Sequence, residues 1–377
     1  MKKLLIVVLC MLLCLTACTT LTSEKATDTK KAEDTKETKI DVTNNSLEEV
    51  IDKMTLEEKV GQMFIARCPN VDAAIYAKKY KLGGYILFGQ DFKDSDPDTI
   101  KKTIQSYQDA MDIPMFIAVD EEGGTVNRVS RYPQFRETPF PSPQELYKSG
   151  GFEAVAADAK EKSEFLMELG VNVNFAPVCD ISNIPDAFMY ARSVALNTTD
   201  TCKYAETVVS EMEKAGIGSV LKHFPGYGNN PDTHTDIVVD TRPYKTFETS
   251  DFLPFKAGID AGAGIVLVSH NIVECMDKEY PASLSPEVNR ILREELGFDG
   301  LIITDDLVMD AITEYTDNES AAVQAVIAGN DLLCCTDFTE QVPAVIKAVQ
   351  DGRISEERIN ESVLRILEYK VKLGIIE

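Results

Sequence analysis

Apolar and polar positions alternate in blocks along most of the chain, and their period switches between that of a helix and that of a strand. Thr55-Leu-Glu-Glu58 reads as a capping box that opens an apolar-periodic helix, Val60 to Ala66. Short apolar runs at 83–89, 114–120, 171–180, 217–224, 263–270, 300–306 and 330–336 each predict a strand. Residues 97–111, 152–169, 199–215 and 319–328 carry helical spacing, and Ser355 caps a last helix to about Leu373. The strand runs are apolar on both faces, so both faces need cover, which requires a parallel sheet of βα units. Seven strands are readable, and an eighth, poorly marked, is placed near Met189–Ser193. Eight such units in roughly 330 residues fit a single (β/α)8 TIM-type barrel, with a doubly wound open sheet as the alternative. Residues 46–377 show no low-complexity stretch, no second compact domain and no fixed-period repeat.

The first residues break this pattern. Lys2 and Lys3 precede an apolar run from Leu4 to Leu15, too short to span a bilayer and of signal-peptide length. It ends in Leu15-Thr16-Ala17-Cys18, which resembles a bacterial lipobox and predicts lipidation of Cys18 after removal of 1–17. Ordinary cleavage after Ala17 with release is the rival. Residues 19–45 hold almost no large apolar groups and cannot offset their ordering entropy, so 18–45 reads as a lipidated Cys and a disordered tether. The expectation is an extracytoplasmic domain, held to the bacterial cell membrane only by its lipid. Of nine cysteines, six lie beyond Cys18 (Cys68, Cys179, Cys202, Cys275, Cys334, Cys335). They lack paired zinc spacing and read as free thiols, against a disulfide network suggested by export.

Composition narrows the partners. Of 377 residues, 44% are hydrophobic and 27% charged, which excludes a disordered or polytopic membrane chain. Lys plus Arg is 38 against 62 Asp plus Glu, a net charge of −24 that would repel phosphate backbones, so nucleic acid is excluded as a partner. Trp is absent, so any stacking on a ligand falls to 13 Tyr and 16 Phe.

Candidate chemistry lies where the apolar runs stop. In a barrel, function sits at the carboxyl ends of the strands. Here those ends read Asp120-Glu-Glu, Cys179-Asp180, Lys222-His223, Ser269-His270 and Thr304-Asp305-Asp306. One such end is ordinary strand capping; five point to a site. All three His fall within this region, and Asp232 and His234 share a Gly-, Pro- and Asn-rich loop at 224–236. That spacing lets a carboxylate orient an imidazole and raise its basicity, although an Asx turn with an exposed His fits as well. Metal binding is a further alternative, but no HxH or HExxH pattern appears, and neither metal nor cofactor is expected. Gly123-Gly124 allows close backbone approach. Arg128 and Arg192 are either surface charges or clamps for carboxylates and hydroxyls.

Taken in order, Asp120-Glu-Glu-Gly-Gly-Thr-Val-Asn-Arg128, Asn174-Phe-Ala-Pro-Val-Cys-Asp180, Lys222-His-Phe-Pro-Gly226, Asp232-Thr-His234, Ser269-His270 and Thr304-Asp-Asp-Leu307 resemble glycoside hydrolase family 3, in its β-N-acetylhexosaminidase branch. The resemblance covers about 50–375 and implies a retaining double displacement. It makes Asp305 the nucleophile, His234 the general acid/base and Asp232 its dyad partner. Asp120, Arg128, Arg192, Lys222 and His223 would hold the hydroxyls of the bound sugar, with His270 and Asp180 behind them or at the rim. Four departures bear on leaving-group preference: Tyr227 where a second His is usual, Thr125 for a common Arg, a loop about one residue shorter, and Ser-Val-Ala after Arg192. The resemblance therefore implies a monomeric exo-enzyme acting on terminal β-linked N-acetylglucosamine of cell-wall-type or other glycans. Other activities of the family (β-glucosidase or a phosphorylase using phosphate as acceptor) and a non-catalytic glycan-binding lipoprotein are the alternatives.

Overall fold

The computed structural model describes residues 46–232, 238–308, 312, 315 and 320–376, all within the unit Lys39–Glu377. The predicted signal, Cys18 and the tether lie outside the described residues, as does His234. Eight strands, β1 (Phe64–Arg67), β2 (Gly84–Leu87), β3 (Phe116–Val119), β4 (Val173–Asn174), β5 (Gly218–Phe224), β6 (Ile265–Val268), β7 (Leu301–Thr304) and β8 (Leu333–Cys335), pair in parallel in that order. β8 pairs with β1, and a bridge between Ile303 and Leu332 joins β7 to β8 and closes the ring. The sheet is the (β/α)8 barrel that the apolar runs predict, and the doubly wound alternative falls.

Two expectations are corrected. The capping box at Thr55 is present, but its helix is Leu56–Gln62, and Phe64–Arg67 is a strand rather than a helical continuation. That strand supplies the missing eighth. Met189–Ser193 forms turns, and no strand lies there. The segment is tied down by Gln144, whose Nε2 donates to the Tyr190 carbonyl at 2.5 Å. Among elements the pattern did not single out are helices Ala73–Tyr80 and Phe338–Gln350.

The strand side chains are almost wholly buried, as expected where helices cover the outside and side chains fill the inside. Asn174 clamps the end of β3: its Oδ1 accepts from the Glu121 amide at 2.9 Å and its Nδ2 donates to the Glu121 carbonyl at 3.1 Å. Of the six cysteines among the described residues, Cys68, Cys179, Cys334 and Cys335 are buried, whereas Cys275 is exposed.

A buried amine marks the helix that ends the fold. Lys370, on helix Glu356–Lys372, has no exposed surface; its Nζ donates to Gln62 Oε1 at 2.8 Å and sits 5.0 Å from the Phe116 ring centre. Burial pushes its pKa down to about 7. Between that value and the ordinary lysine range, the unfolded chain holds a proton that the folded chain has released, so stability rises with pH there. Below about pH 7 the folded protein carries a charged amine in an apolar setting. Lys370→Met is therefore expected to raise the melting temperature at pH 6 by about 2 °C or more, with the gain shrinking by pH 10. Thermal melts across that range check it; a gain independent of pH would contradict it.

Candidate active site

The carboxyl ends of the strands surround a cavity of about 760 Å³. Asp120, Arg128, Arg192, Lys222, His223, Asp232 and Asp305 all line it, although they come from four strand ends or the loops beyond them. Its walls also include Phe88, Phe175, Phe188 and Leu267, which offer apolar faces in a chain without Trp.

The cations along one wall share a carboxylate that the sequence reading passed over. Glu122, 4% exposed, accepts from Arg192 Nη2 at 2.7 Å and Nε at 3.0 Å, and lies 2.6 Å from Lys222 Nζ. Burial alone would raise the Glu122 pKa, but Arg192 and Lys222 outweigh it and hold the carboxyl well below its usual range. Lys222 reaches on to Asp120 Oδ1 at 2.6 Å. Arg192 Nη2 also lies 3.3 Å from His223 Nε2, and His223 Nδ1 lies 2.8 Å from Asp180 Oδ2. A guanidinium can only donate, so His223 Nε2 accepts and Nδ1 carries the proton toward Asp180. A continuous chain Asp180–His223–Arg192–Glu122–Lys222–Asp120 thereby fixes every side chain along this wall. Asp180 stays behind it, also accepting the Tyr227 amide at 2.7 Å.

Sequence neighbours divide the work. Glu121 turns away from Glu122 and accepts the amides of Arg128 at 2.7 Å, Val129 at 2.8 Å and Ser130 at 3.2 Å, together with the Ser130 hydroxyl. That fold of the loop after β3 delivers Arg128 to the cavity, with its guanidinium 5.4 Å from the Phe88 ring centre. Arg67, at the end of β1, lies over the same ring at 4.2 Å. No strand-end signal marks it in the sequence, because the apolar run of β1 carries a helical spacing with the helix before it.

Two adjacent carboxylates follow β7, and their hydrogen bonds tell them apart. Asp306 accepts from the amides of Thr336 at 3.0 Å and Val308 at 3.2 Å and from the Thr336 hydroxyl. Burial raises its pKa, with the charge of Asp305 as a lesser contributor. It is a brace between β7 and β8. Asp305 Oδ1 accepts the Asp306 amide at 2.9 Å, which orients the carboxylate in the cavity. His270 supports this strand end from behind, with Nε2 3.0 Å from the Asp306 carbonyl oxygen and Nδ1 2.7 Å from Ser283 Oγ. Neither His270 nor Asp180 is on the cavity wall.

The loop after β5 is anchored on either side of its undescribed part. Arg242 Nη2 donates to the Gly226 carbonyl at 2.7 Å, and Asn230 Nδ2 donates to Asp240 Oδ2 at 2.8 Å. A two-residue strand, Val239–Asp240, pairs with Ile272–Val273. Asp232 lines the cavity; His234, two positions on, lies outside the described residues. Tyr227, where the resemblance expects a second His, is buried and packs edge-on against the His223 ring with centroids 5.4 Å apart. Asp180→Asn is expected to raise KM more than it lowers kcat, by about tenfold on KM, because an amide brings one acceptor oxygen where the carboxylate receives the Tyr227 amide on one oxygen and the His223 amide and ring on the other, so the His223 tautomer is no longer held. Steady-state kinetics of the variant check this; unchanged KM would contradict it.

No group of His, Cys, Asp and Glu among the described residues is arranged to hold a metal ion.

The model for the family described as glycosyl hydrolase family 3 N terminal domain matches residues 55–369. A protein of Pseudoalteromonas piscicida named beta-hexosaminidase A is 28% identical over 323 residues, 78% of this chain and 54% of that protein. The chain thus spans about half the length of that relative. A beta-hexosaminidase of Nitrosomonas eutropha is 32% identical over 268 residues, 68% of this chain and 74% of its own length. The solved structure of a glycoside hydrolase family 3 beta-N-acetylglucosaminidase from a Paenibacillus species superimposes with a TM-score of 0.78 at 31% identity, over 85% of this chain and 63% of that one.

Proposed function

We propose a function from one premise: the chain belongs to the family of the glycosyl hydrolase family 3 N terminal domain. It is a retaining exo-β-N-acetylhexosaminidase that removes terminal β-linked N-acetylglucosamine from glycans. The observation that carries this reading is the meeting of Asp305 and Asp232 with Asp120, Arg128, Arg192, Lys222 and His223 around one cavity. The names of the relatives point the same way.

In the proposed reaction, an Asp305 carboxylate oxygen attacks the anomeric carbon while the bond to the leaving oxygen breaks. That oxygen takes a proton from the His234 imidazolium. Water then attacks the glycosyl ester, giving its proton to the neutral imidazole, and Asp305 is released. Most glycosidases use two carboxylates here. An imidazole partnered by Asp232 performs both proton transfers because its pKa lies near neutrality. The network Asp120–Lys222–Glu122–Arg192–His223 holds its groups in place before the sugar arrives, so little reorganisation accompanies binding.

The sequence of residues 1–20 supports placing the enzyme outside the cytoplasm, tethered through a lipidated Cys18, where cell-wall-type fragments are within its reach. Parallel assays of an aryl β-glucoside and an aryl β-N-acetylglucosaminide test the specificity. Preference for the N-acetylglucosaminide is expected; preference for the glucoside, or binding without turnover of either, would overturn the reading.

A further inference from the structure

We propose that Arg242 is a positioning residue for proton transfer: it fastens the departing and returning ends of the loop that carries Asp232 and His234, and so sets where that pair meets the leaving oxygen. The inference rests on the reading of His234 as proton donor and deepens it. Arg242 is not on the cavity wall, and neither are Gly226, Asn230, Asp240 and Asp251. Whatever they contribute to the reaction therefore passes through the loop.

All three guanidinium nitrogens of Arg242 bond to the chain. Nη2 donates to the Gly226 carbonyl at 2.7 Å, where the loop leaves β5, and to Asp240 Oδ2 at 2.7 Å, where it returns. Nε donates to the same carboxylate at 2.9 and 3.0 Å. Nη1 donates to Asp251 Oδ1 at 2.8 Å, in the next helical segment, Phe247–Asp251. Asp240 and Asp251 are 1% and 3% exposed, so these charge-assisted bonds are little weakened by water. One planar fork thus holds departure, return and a neighbouring helix in a fixed relation, which an ammonium on a flexible stem does not reproduce.

Two glycines show how closely the loop is drawn onto this cation. Gly226 and Gly228 have φ of +123° and +59°. A Cβ at the first would lie 2.7 Å from Asp251 Oδ1, and one at the second 2.6 Å from Arg242 Nη1. Asn230 adds a lighter tie, from Nδ2 to Asp240 Oδ2 at 2.8 Å, and Val239–Asp240 pairs with Ile272–Val273. Asp180 accepts the Tyr227 amide on one oxygen and holds His223 with the other, which registers the same loop against the sugar-binding wall. Residues 231–237, Asp232 and His234 among them, run between these ties. A drift of about 1 Å at the base is enough to impair a reaction that depends on the alignment of its groups. Asp305 is oriented by the Asp306 amide after β7, so its attack should survive the loss of Arg242.

The test compares phenyl and 2,4-dinitrophenyl β-N-acetylglucosaminides as substrates of the full chain. Dinitrophenolate departs without a proton, whereas phenolate needs one from the general acid. Arg242→Gln is expected to lose about 30-fold or more in kcat/KM on the phenyl substrate and about threefold or less on the dinitrophenyl one. Asn230→Ala, which removes a single tie, should show the same selectivity at about fivefold, and Arg242→Lys should recover only part of the arginine's effect. Equal losses on the two substrates, or none on either, would overturn the proposal, and Asn230→Ala decides it alone if Arg242→Gln fails to fold. His234→Ala is the control. If it loses both substrates equally, or if the wild type is inert on both, the reading of His234 falls and this inference with it; if it is selective and the Arg242 and Asn230 variants are not, this inference alone falls.

Discussion

Asp305→Ala should lower kcat/KM on an aryl β-N-acetylglucosaminide by about 10⁴-fold or more, the scale on which covalent catalysis fails when its nucleophile is removed. The chain should still fold. Asp305 is partly exposed at a strand end, where its Oδ1 accepts the Asp306 amide. Asp306→Ala is the informative comparison. It removes the brace to Thr336 and Val308, so it should reduce thermal stability as well as activity. Kinetics and melting curves on both variants separate the two carboxylates. If Asp306→Ala were inactive while Asp305→Ala retained turnover, the roles would be reversed.

Glu122→Gln should have the second largest effect, on stability and activity together. The substitution leaves Arg192 and Lys222 without the carboxylate they share, in a wall where Lys222 is 1% exposed. Breaking a buried pair by neutralising one partner costs on the order of 3 kcal/mol, because the remaining charge has lost its compensation. Lys222 keeps Asp120, so the loss falls chiefly on Arg192 and, through it, on His223. A fall in melting temperature of several degrees, with kcat/KM reduced about 100-fold or more, is expected. A variant as stable and active as the wild type would show that the network is incidental to the site.

Much of this architecture was legible in the sequence because barrel strands announce themselves twice, by an apolar run and by the ionisable residue that ends it. β3, β5 and β7 each show both signals. β1 does not, for a physical reason: a four-residue strand follows the Leu56–Gln62 helix after one residue, and its three apolar positions are too few to separate a period of 3.6 from a period of 2. Arg67 was lost with it. Arg192 was found as a residue but placed near a strand, whereas loop contacts through Tyr190 hold its segment. Glu121 and Glu122 were indistinguishable as letters. Only the backbone after β3 sends one to the amides of 128–130 and the other to the cations. The same holds for Asp305 and Asp306, where the resemblance points to the first and hydrogen bonds to Thr336 and Val308 make the second a brace.

The central claim is that Asp305 forms a covalent bond to the sugar opposite the Asp232 and His234 loop. Incubation with a 2-deoxy-2-fluoro glycosyl donor, followed by proteolysis and mass spectrometry, tests it most directly. The account predicts one stoichiometric glycosyl label on the peptide that carries Asp305. A label on Asp120, Glu122 or Asp306, or full turnover of the donor with no labelled peptide at any time, would contradict it.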